Sequence, residues 1–138
     1  MTYQQEISLH TRGHGQMDDL TARLGEIVSA SSIRQGIANL AVIGSTAAIV
    51  GIEFEPGLQR DLPEALDRLL PASRQYHHEQ AWHDGNGHSH LQASWLGQSL
   101  TVPVREGAPA LGVWQQIAHL ECDVRARKRR ILVTVMGD

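Results

Sequence analysis

Two short apolar runs, separated by only three residues, limit most strongly how this chain can fold. The runs are Ile37–Ile43 and Ala47–Phe54, and Gly44, Ser45 and Thr46 interrupt them. Both runs are rich in β-branched residues, which favour the pleated and buried environment of a sheet. The sequence therefore predicts two buried strands with a polar interruption between them.

Hydrophobic patterning predicts the remaining elements. Short apolar or alternating segments predict four more strands, at residues 3–9, 99–104, 114–121 and 131–135. Helical spacing predicts two helices, one built on Leu20, Leu24, Ile27 and Val28 and one on Leu62, Leu66, Leu69 and Leu70. Asp61 followed by Glu64 predicts the start of the second helix, and Pro71 predicts its end. We expect an α+β fold with two helices on mainly antiparallel sheets, as one domain over residues 1–138.

Size and charge exclude several classes of function. The chain has 138 residues, of which 41% are hydrophobic and 20% charged, as is usual for one globular domain. Its net charge of −3 argues against general attraction to nucleic acid. No apolar run approaches the ~18 residues of a membrane span, and the N-terminus lacks a signal-peptide pattern. Cys122 is the single cysteine, so we expect a cytoplasmic protein without an intrachain disulfide.

The segment from Tyr76 to His90 holds five of the eight histidines. If the segment is extended, His88 and His90 project from the same side of a strand, because side chains alternate along it. Such a pair can chelate one ion, and neutral imidazole is the commonest protein ligand for metals. The alternative is a polar surface loop that is simply rich in histidine. From these residues alone both interpretations stay open.

Three segments of the chain together resemble a known family. They are residues 44–57, 76–104 and 112–130, and the last begins with the characteristic Gly112-Val113-Trp114-Gln115. The resemblance is to the YjbQ-like family, an uncharacterised family also associated with a secondary thiamine-phosphate synthase activity. It implies a β-sandwich-like α+β fold, a homotrimer, and a polar pocket lined by histidines in which a metal can sit. Two positions depart from the family pattern: Gly44 stands for a histidine and Val113 for a threonine.

The resemblance implies catalytic roles for Glu53, His78 and His90. Catalytic zinc usually takes three protein ligands and keeps one position open. We therefore expect His78, His88 and His90 to bind a divalent metal, with zinc favoured and Glu53 as a fourth ligand or general base. The alternative for His88 and His90 is a hydrogen-bonded pair that orders the loop.

Arginines in the basic run from Arg125 to Arg130 are candidates for binding phosphate or diphosphate, because a guanidinium group presents two parallel donors. Arg127 and Arg129 would project to the same side of an extended segment. A solvated hairpin connection is the alternative for this run.

Four other residues are candidates for contacting the substrate. Ser45 and Thr46 can donate hydrogen bonds to the same anion, although a tight turn explains them equally well. Trp114 can stack on a heterocycle while Gln115 binds its edge. The alternative for Trp114 is that it fills the core from a strand.

Three functions are compatible with these residues. The first is thiamine-phosphate synthesis, in which a thiazole nitrogen displaces diphosphate from the methylene carbon of a pyrimidine diphosphate. The second is metal-dependent hydrolysis of a small phosphate ester. The third is a trimeric protein that binds a metal or a small molecule without catalysis. The sequence leaves open whether the chain is an enzyme, and it predicts a small phosphorylated heterocycle or another small anion as the partner.

Overall fold

Antiparallel strands dominate the computed structural model, which describes residues 1–138. The eight strands are β1 (Thr2–Thr11), β2 (Met17–Asp19), β3 (Gln35–Val42), β4 (Ala47–Ile52), β5 (Ser99–Arg105), β6 (Ala108–Pro109), β7 (Gln116–Glu121) and β8 (Arg127–Gly137). The four helices are α1 (Thr21–Ser31), α2 (Pro56–Leu69), α3 (His77–Trp82) and α4 (Gly87–Leu96). Every strand pairing is antiparallel. The predicted α+β class is confirmed, with two helices more than expected.

The strands form two sheets around one main core. The larger sheet has the order β1-β8-β3-β5-β6, and the smaller sheet has the order β2-β7-β4. Apolar side chains of both sheets and of α1 pack together, among them Leu40, Ile49, Ile117, Ile131 and Leu24. The two apolar runs of the sequence form β3 and β4. The first half of β4 is buried on both faces, whereas β3 buries only alternate residues, Ala38, Leu40 and Val42.

A second, smaller core lies on the other face of β7. Side chains alternate along a strand, so Ile117 enters the main core while Leu120 points the opposite way. Leu120 packs with Cys122, with Leu66 of α2 and with Ala93 of α4. This packing places α2 and α4 against the smaller sheet.

Helix α2 begins five residues before the predicted capping position Asp61. The carboxylate of Glu55 accepts hydrogen bonds from the backbone N–H groups of Gly57 (2.7 Å) and Leu58 (2.9 Å). Pro56 then occupies the first helical turn, where no N–H is needed. Helix α2 therefore follows β4 after only three residues, and the predicted end before Pro71 is confirmed.

The histidine-rich segment is helical and not extended. His77 and His78 begin α3, and His88 and His90 lie in the first turn of α4. Residues two apart on a helix point to nearly opposite sides, because each residue turns the helix by about 100°. The expectation that His88 and His90 share one face is therefore wrong.

Two further boundaries differ from the predictions. Strand β7 begins at Gln116, so Trp114 lies in the preceding loop with 74% of its surface exposed and does not fill the core. Strand β8 begins at Arg127, so most of the basic run belongs to a strand and not to a hairpin connection. No helix of this fold is both long enough and apolar enough to cross a lipid bilayer.

Candidate functional site

A polar cavity of about 560 Å³ lies between the β3–β4 turn, the α3–α4 region and the start of β8. Six of the predicted site residues line it: Ser45, Thr46, His78, His90, Arg127 and Arg129. The other lining residues are Ile43, Gly44, Trp82, Asp84, Asn86 and Lys128. Residues from distant parts of the sequence meet here because the start of β4, the end of β7 and the start of β8 lie at the same end of the molecule.

Each arginine in the cavity is held by one buried carboxylate. Arg127 donates through Nε (2.8 Å) and Nη2 (2.6 Å) to Oδ2 of Asp123. Arg129 donates through Nε to Oε1 of Glu121 (2.8 Å) and through Nη2 to Oε2 of the same carboxylate. Neither arginine uses Nη1 in a hydrogen bond within the chain. One edge of each guanidinium group is therefore fixed, and the remaining N–H₂ group makes no hydrogen bond within the chain.

The two carboxylates are kept ionised by their hydrogen bonds. Burial raises the pKa of Glu121, but donors from Arg129, Thr11 and the Asp123 backbone outweigh it and hold the pKa below its ordinary value. Burial likewise raises the pKa of Asp123, and donors that include Arg127 bring it below the ordinary value. Each arginine consequently faces a negative charge at neutral pH.

The hydroxyl of Thr46 connects the two ion pairs. It accepts a hydrogen bond from Nη2 of Arg129 (2.8 Å) and donates to Oδ2 of Asp123 (3.0 Å). Ser45 is exposed and makes no side-chain hydrogen bond within the chain. The hydroxyl of Thr46 thus holds the two ion pairs in place, whereas the hydroxyl of Ser45 has no partner within the chain.

His78 and His90 form the opposite wall of the cavity, with their ring centroids 4.6 Å apart. Nε2 of His78 lies 2.9 Å from the amide of Asn86 and 3.3 Å from Oδ1 of Asp84. Burial, and then the neighbouring His78, lower the pKa of His90. The lowered pKa favours the neutral ring of His90, which can accept a proton at one nitrogen and donate a hydrogen bond from the other.

His88 lies apart from this pair. Its ring centroid is 5.4 Å from that of His14, and its Nδ1 is buried without a hydrogen-bond partner. It lines a different cavity of about 450 Å³ together with Glu79. Burial, and then His14, lower the pKa of His88.

The predicted ligand set His78, His88 and His90 does not fit one metal ion in this arrangement. His78 and His90 face each other, whereas His88 faces His14. No group of three or more histidine, cysteine, aspartate or glutamate side chains has an arrangement that could hold a metal ion.

Glu53, Trp114 and Gln115 lie at the other end of the smaller sheet. Thr46 immediately precedes β4 and Glu53 follows it, and β4 contains six residues. At about 3.3 Å per residue, this strand separates the two ends by roughly 20 Å. Gln115 lies beside that far end, because Ile52 pairs with Gln116. These three candidates do not line the cavity within one chain.

Asn86, Glu121 and Asp123 were not among the predicted site residues. Asn86 and Asp123 join the histidines to the arginines through hydrogen bonds, and Glu121 anchors Arg129. The sequence around Glu121 and Asp123 does not show which side chains the two carboxylates contact, because those contacts form only when the strands come together. The only sign of these ion pairs in the sequence is that two acidic residues shortly precede two arginines. Such spacing is common on protein surfaces and does not indicate a site.

Comparison with known proteins places this chain in a family. Residues 5–138 match the family described as UPF0047 protein YjbQ-like. A UPF0047 protein of Methanothermobacter thermautotrophicus is 39% identical over 98% of this chain and 92% of that protein. A second UPF0047 protein, of Archaeoglobus fulgidus, is 35% identical over 95% of this chain and 99% of its own length.

Solved structures agree with this assignment. The crystal structure of a protein of unknown function from Sulfolobus solfataricus has a TM-score of 0.89 and 33% identity, with all of both chains covered. An uncharacterised protein of Clostridium acetobutylicum has a TM-score of 0.85 and 31% identity, over 95% of this chain and 98% of that one. The chain therefore belongs to the YjbQ-like UPF0047 family, a family of uncharacterised function.

Proposed function

We propose that the cavity binds a small phosphorylated heterocycle and that the chain has a secondary thiamine-phosphate synthase activity. The observation that carries the proposal is the pair of arginines, each fixed by a buried carboxylate and each with Nη1 left free. Lys128 and the hydroxyl of Ser45 line the same cavity. Preorganised N–H donors of this kind stabilise the charge of phosphate oxygens.

The reaction requires stabilisation of a leaving group. The thiazole nitrogen forms a bond to the methylene carbon of the pyrimidine diphosphate, the carbon–oxygen bond breaks, and diphosphate leaves with the electron pair. Arg127, Lys128 and Arg129 are suited to bind the departing diphosphate, because negative charge grows on its bridging oxygen as the bond breaks. The indole of Trp82 at the cavity, which is 71% exposed, offers a face on which a heterocycle can stack.

A divalent metal, as the family resemblance implies, would add a further positive charge beside the diphosphate. His78, His90 and Asp84 are the metal-ligand types in the cavity, and they do not form a preformed three-ligand set. The charge stabilisation in this proposal therefore rests on the arginines and Lys128 alone.

Glu53, Trp114 and Gln115 keep their proposed roles only if a neighbouring copy brings them to the cavity. Trp114 exposes 74% of its surface, which leaves its indole accessible to another chain. In a homotrimer, the far end of one smaller sheet could complete the cavity of the next subunit. Of the three residues proposed as catalytic, only His78 and His90 line the cavity within one chain.

The first experiment measures thiamine phosphate formed from the pyrimidine diphosphate and the thiazole phosphate. We expect His90→Ala to lower the rate by about 100-fold, because the departing diphosphate loses an N–H donor as negative charge grows on it. Lys128→Ala should lower it by about tenfold, through loss of one charged hydrogen bond. Two exposed neighbours outside the cavity provide matched controls, His77→Ala and Arg125→Ala, and neither should change the rate. Equal rates for all four variants would contradict the proposal.

Hydrolysis of a phosphate ester is the second candidate function. It is favoured by the position of His90, whose lowered pKa leaves a neutral ring facing the same cavity as the arginines. Turnover of a phosphate-ester panel that Lys128→Ala weakens and Arg125→Ala leaves unchanged would support this reaction. Binding of inorganic phosphate without turnover of any substrate would favour the third candidate, a non-catalytic binding protein.

A further inference from the structure

Three consecutive backbone N–H groups at the cavity have no hydrogen-bond partner within the chain. They belong to Gly44, Ser45 and Thr46, which lie in the connection between β3 and β4 and are called turn 44–46 below. Gly44 and Ser45 are exposed, but Thr46 is buried, where an N–H group without a partner is costly. Successive N–H donors in a turn form a concave binding site for an anion.

The fold holds turn 44–46 in place at both ends. Before the turn, the N–H group of Ile43 donates to the carbonyl oxygen of Arg130 (3.0 Å). At its end, the carbonyl oxygen of Thr46 accepts from the N–H group of Cys122 (3.0 Å) and from Nη2 of Arg129 (3.1 Å). The turn is therefore positioned before any ligand binds, which lowers the entropic cost of binding.

The side chain of Arg129 ends beside the same turn. Its Nη1 makes no hydrogen bond within the chain, although only 6% of the residue is exposed. A Cβ atom added to Gly44 would lie 2.9 Å from this Nη1. The guanidinium group cannot easily turn away, because Glu121 and Thr46 bind its Nε and Nη2. The absence of a side chain at position 44 therefore keeps open the space beside Nη1.

Backbone conformation does not explain why residue 44 is a glycine. Several other glycines of the chain have a positive φ, but Gly44 does not. An alanine could therefore adopt the same backbone conformation without strain. What a larger residue would disturb is the contact with Arg129, so Gly44 matters for the space that it leaves.

We propose that turn 44–46 binds a terminal phosphate group and that Gly44 is a specificity-determining residue. The three N–H groups and Nη1 of Arg129 donate to the oxygens of one phosphate group, which is present both in a phosphate monoester and at the end of a diphosphate. A side chain at position 44 would occupy the space of the oxygen nearest to Nη1. This inference rests on the proposed function, because it names the part of the cavity that binds the phosphate.

The first test follows the backbone amides by ¹H–¹⁵N NMR while inorganic phosphate is added at constant pH and ionic strength. We expect the three amide signals of turn 44–46 to move along one saturation curve, because each N–H group gains an anionic acceptor. The amide of Val113, which precedes β7 at the other end of the smaller sheet, is the control and should not move. Phosphate that saturates other residues while these three signals stay in place would overturn the inference and leave the proposed function intact.

The second test places a methyl group beside Nη1 of Arg129. Gly44→Ala should weaken phosphate binding by about tenfold, because one charged hydrogen bond is lost. Gly51→Ala is the matched control: Gly51 also lacks a positive φ, and the nearest atoms to its added Cβ are side-chain atoms of Gln115 and Ile117, each at 4.0 Å. It should bind phosphate as tightly as the parent. A Gly44→Ala protein with the affinity of the parent would overturn the role of Gly44.

Inorganic diphosphate, titrated in the same way, identifies the source of the phosphate group. Tighter binding than phosphate, with the same three amides moving, assigns turn 44–46 to the end of a diphosphate. Movement of these amides with phosphate alone assigns the turn to a monoester, and either result supports the inference. Phosphate binding at the turn of a protein that forms no thiamine phosphate would remove the proposed function only. A parent that binds neither anion at millimolar concentration would overturn the inference itself.

Discussion

Glu121 and Arg129 form an ion pair that is almost completely removed from solvent. Burying two charges costs much of the free energy that their attraction returns, so such a pair contributes little net stability. Its contribution here is geometric: it directs one edge of the guanidinium group into the cavity. Removing only one partner strongly lowers the stability of the fold, because the other charge is then left buried and unpaired.

Arg129→Met should accordingly lower the free energy of unfolding by about 3–5 kcal/mol. The double variant Arg129→Met/Glu121→Leu should recover much of that loss, since it also removes the unpaired carboxylate. Urea unfolding at neutral pH measures both values. A single variant as stable as the parent, or a double variant no better than the single one, would show that the pair does not behave as a buried charge pair.

His119 makes the stability of the fold depend on pH. Its side chain is completely buried and neither ring nitrogen has a hydrogen-bond partner. Burial lowers its pKa to about 4; nearby Glu121 acts in the opposite direction, Arg129 lowers the pKa further, and Asp18 raises it. An unfolded histidine has a pKa near ~6.5, so the unfolded chain binds a proton at pH values where the folded chain does not.

Stability should therefore fall as the pH drops below ~6.5 and stop falling, for this residue, near the folded pKa of about 4. Between pH 7.5 and pH 5 the loss due to His119 should be about 2 kcal/mol. Urea unfolding of His119→Leu over this range should show a pH dependence smaller by that amount. The exposed His77→Ala variant is the control and should follow the parent; an identical pH dependence in all three proteins would refute the assignment.

At the level of single elements, the strands were the most predictable part of the fold. The apolar start of β4 follows from burial on two faces of a sheet, and the alternation in β5 and β8 follows from burial on one face. The run of β3 also predicts a strand, although only one of its faces is buried. Helix α4 could not be predicted in the same way. Its buried side chains include His88, Ser89 and Gln92, so it has no apolar stripe at helical spacing.

The candidate site was predictable only in part, for a related reason. The cavity brings together two histidines and two arginines, residue types whose chemistry is predictable from sequence alone: His78, His90, Arg127 and Arg129. Asp123 acquires its importance from the pairing of β4 with β7 and from the return of the chain into β8, which places Thr46 and Arg127 beside its carboxylate. Neither contact has a signature in the local sequence.

The pairing of β3 with β8 depends on a close approach of their backbones at Gly36. A Cβ atom added there would lie 2.0 Å from the carbonyl oxygen of Met136 and 2.8 Å from Cα of Gly137. Both obstacles are backbone atoms in a paired strand and cannot move without breaking the pairing.

Gly36→Ala should destabilise the protein by about 3 kcal/mol. Gly25→Ala is the matched control, because Gly25 lies inside α1 with no atom near the added methyl group. That substitution should stabilise the protein by about 1 kcal/mol, through higher helix propensity. Thermal and urea unfolding of the two variants should therefore change in opposite directions, and equal behaviour would contradict the close approach at Gly36.

On the scale of the whole molecule, several large apolar side chains remain on the surface. Leu91 and Trp95 lie one turn apart on α4, and Trp95 exposes 64% of its surface. Trp82 and Trp114 are also largely exposed. Exposed apolar groups of this size are typical of surfaces that contact other proteins.

The family resemblance implies a homotrimer, with a mass three times the 15.2 kDa of the chain, and we expect Leu91 and Trp95 to lie at a contact between its subunits. Light scattering on the eluting protein measures the mass directly. A double variant, Leu91→Ser/Trp95→Ser, should shift the protein towards the monomer while circular dichroism remains unchanged. A monomeric parent at micromolar concentration would exclude the trimer and, with it, any role for Glu53 and Trp114 in a neighbouring cavity.

The order of strands in the larger sheet has a consequence for how the protein is made. Strand β1 pairs with β8 alone, and Thr11 meets Arg127, which follows it by 116 residues. A ribosome adds about 5–20 residues per second, so β1 waits roughly ten seconds for its partner. Ile7, which is buried in the finished sheet, lacks its β8 partner Ile131 throughout that time. Strand β1 can therefore join β3, β5 and β6 in one sheet only after β8 has been synthesised.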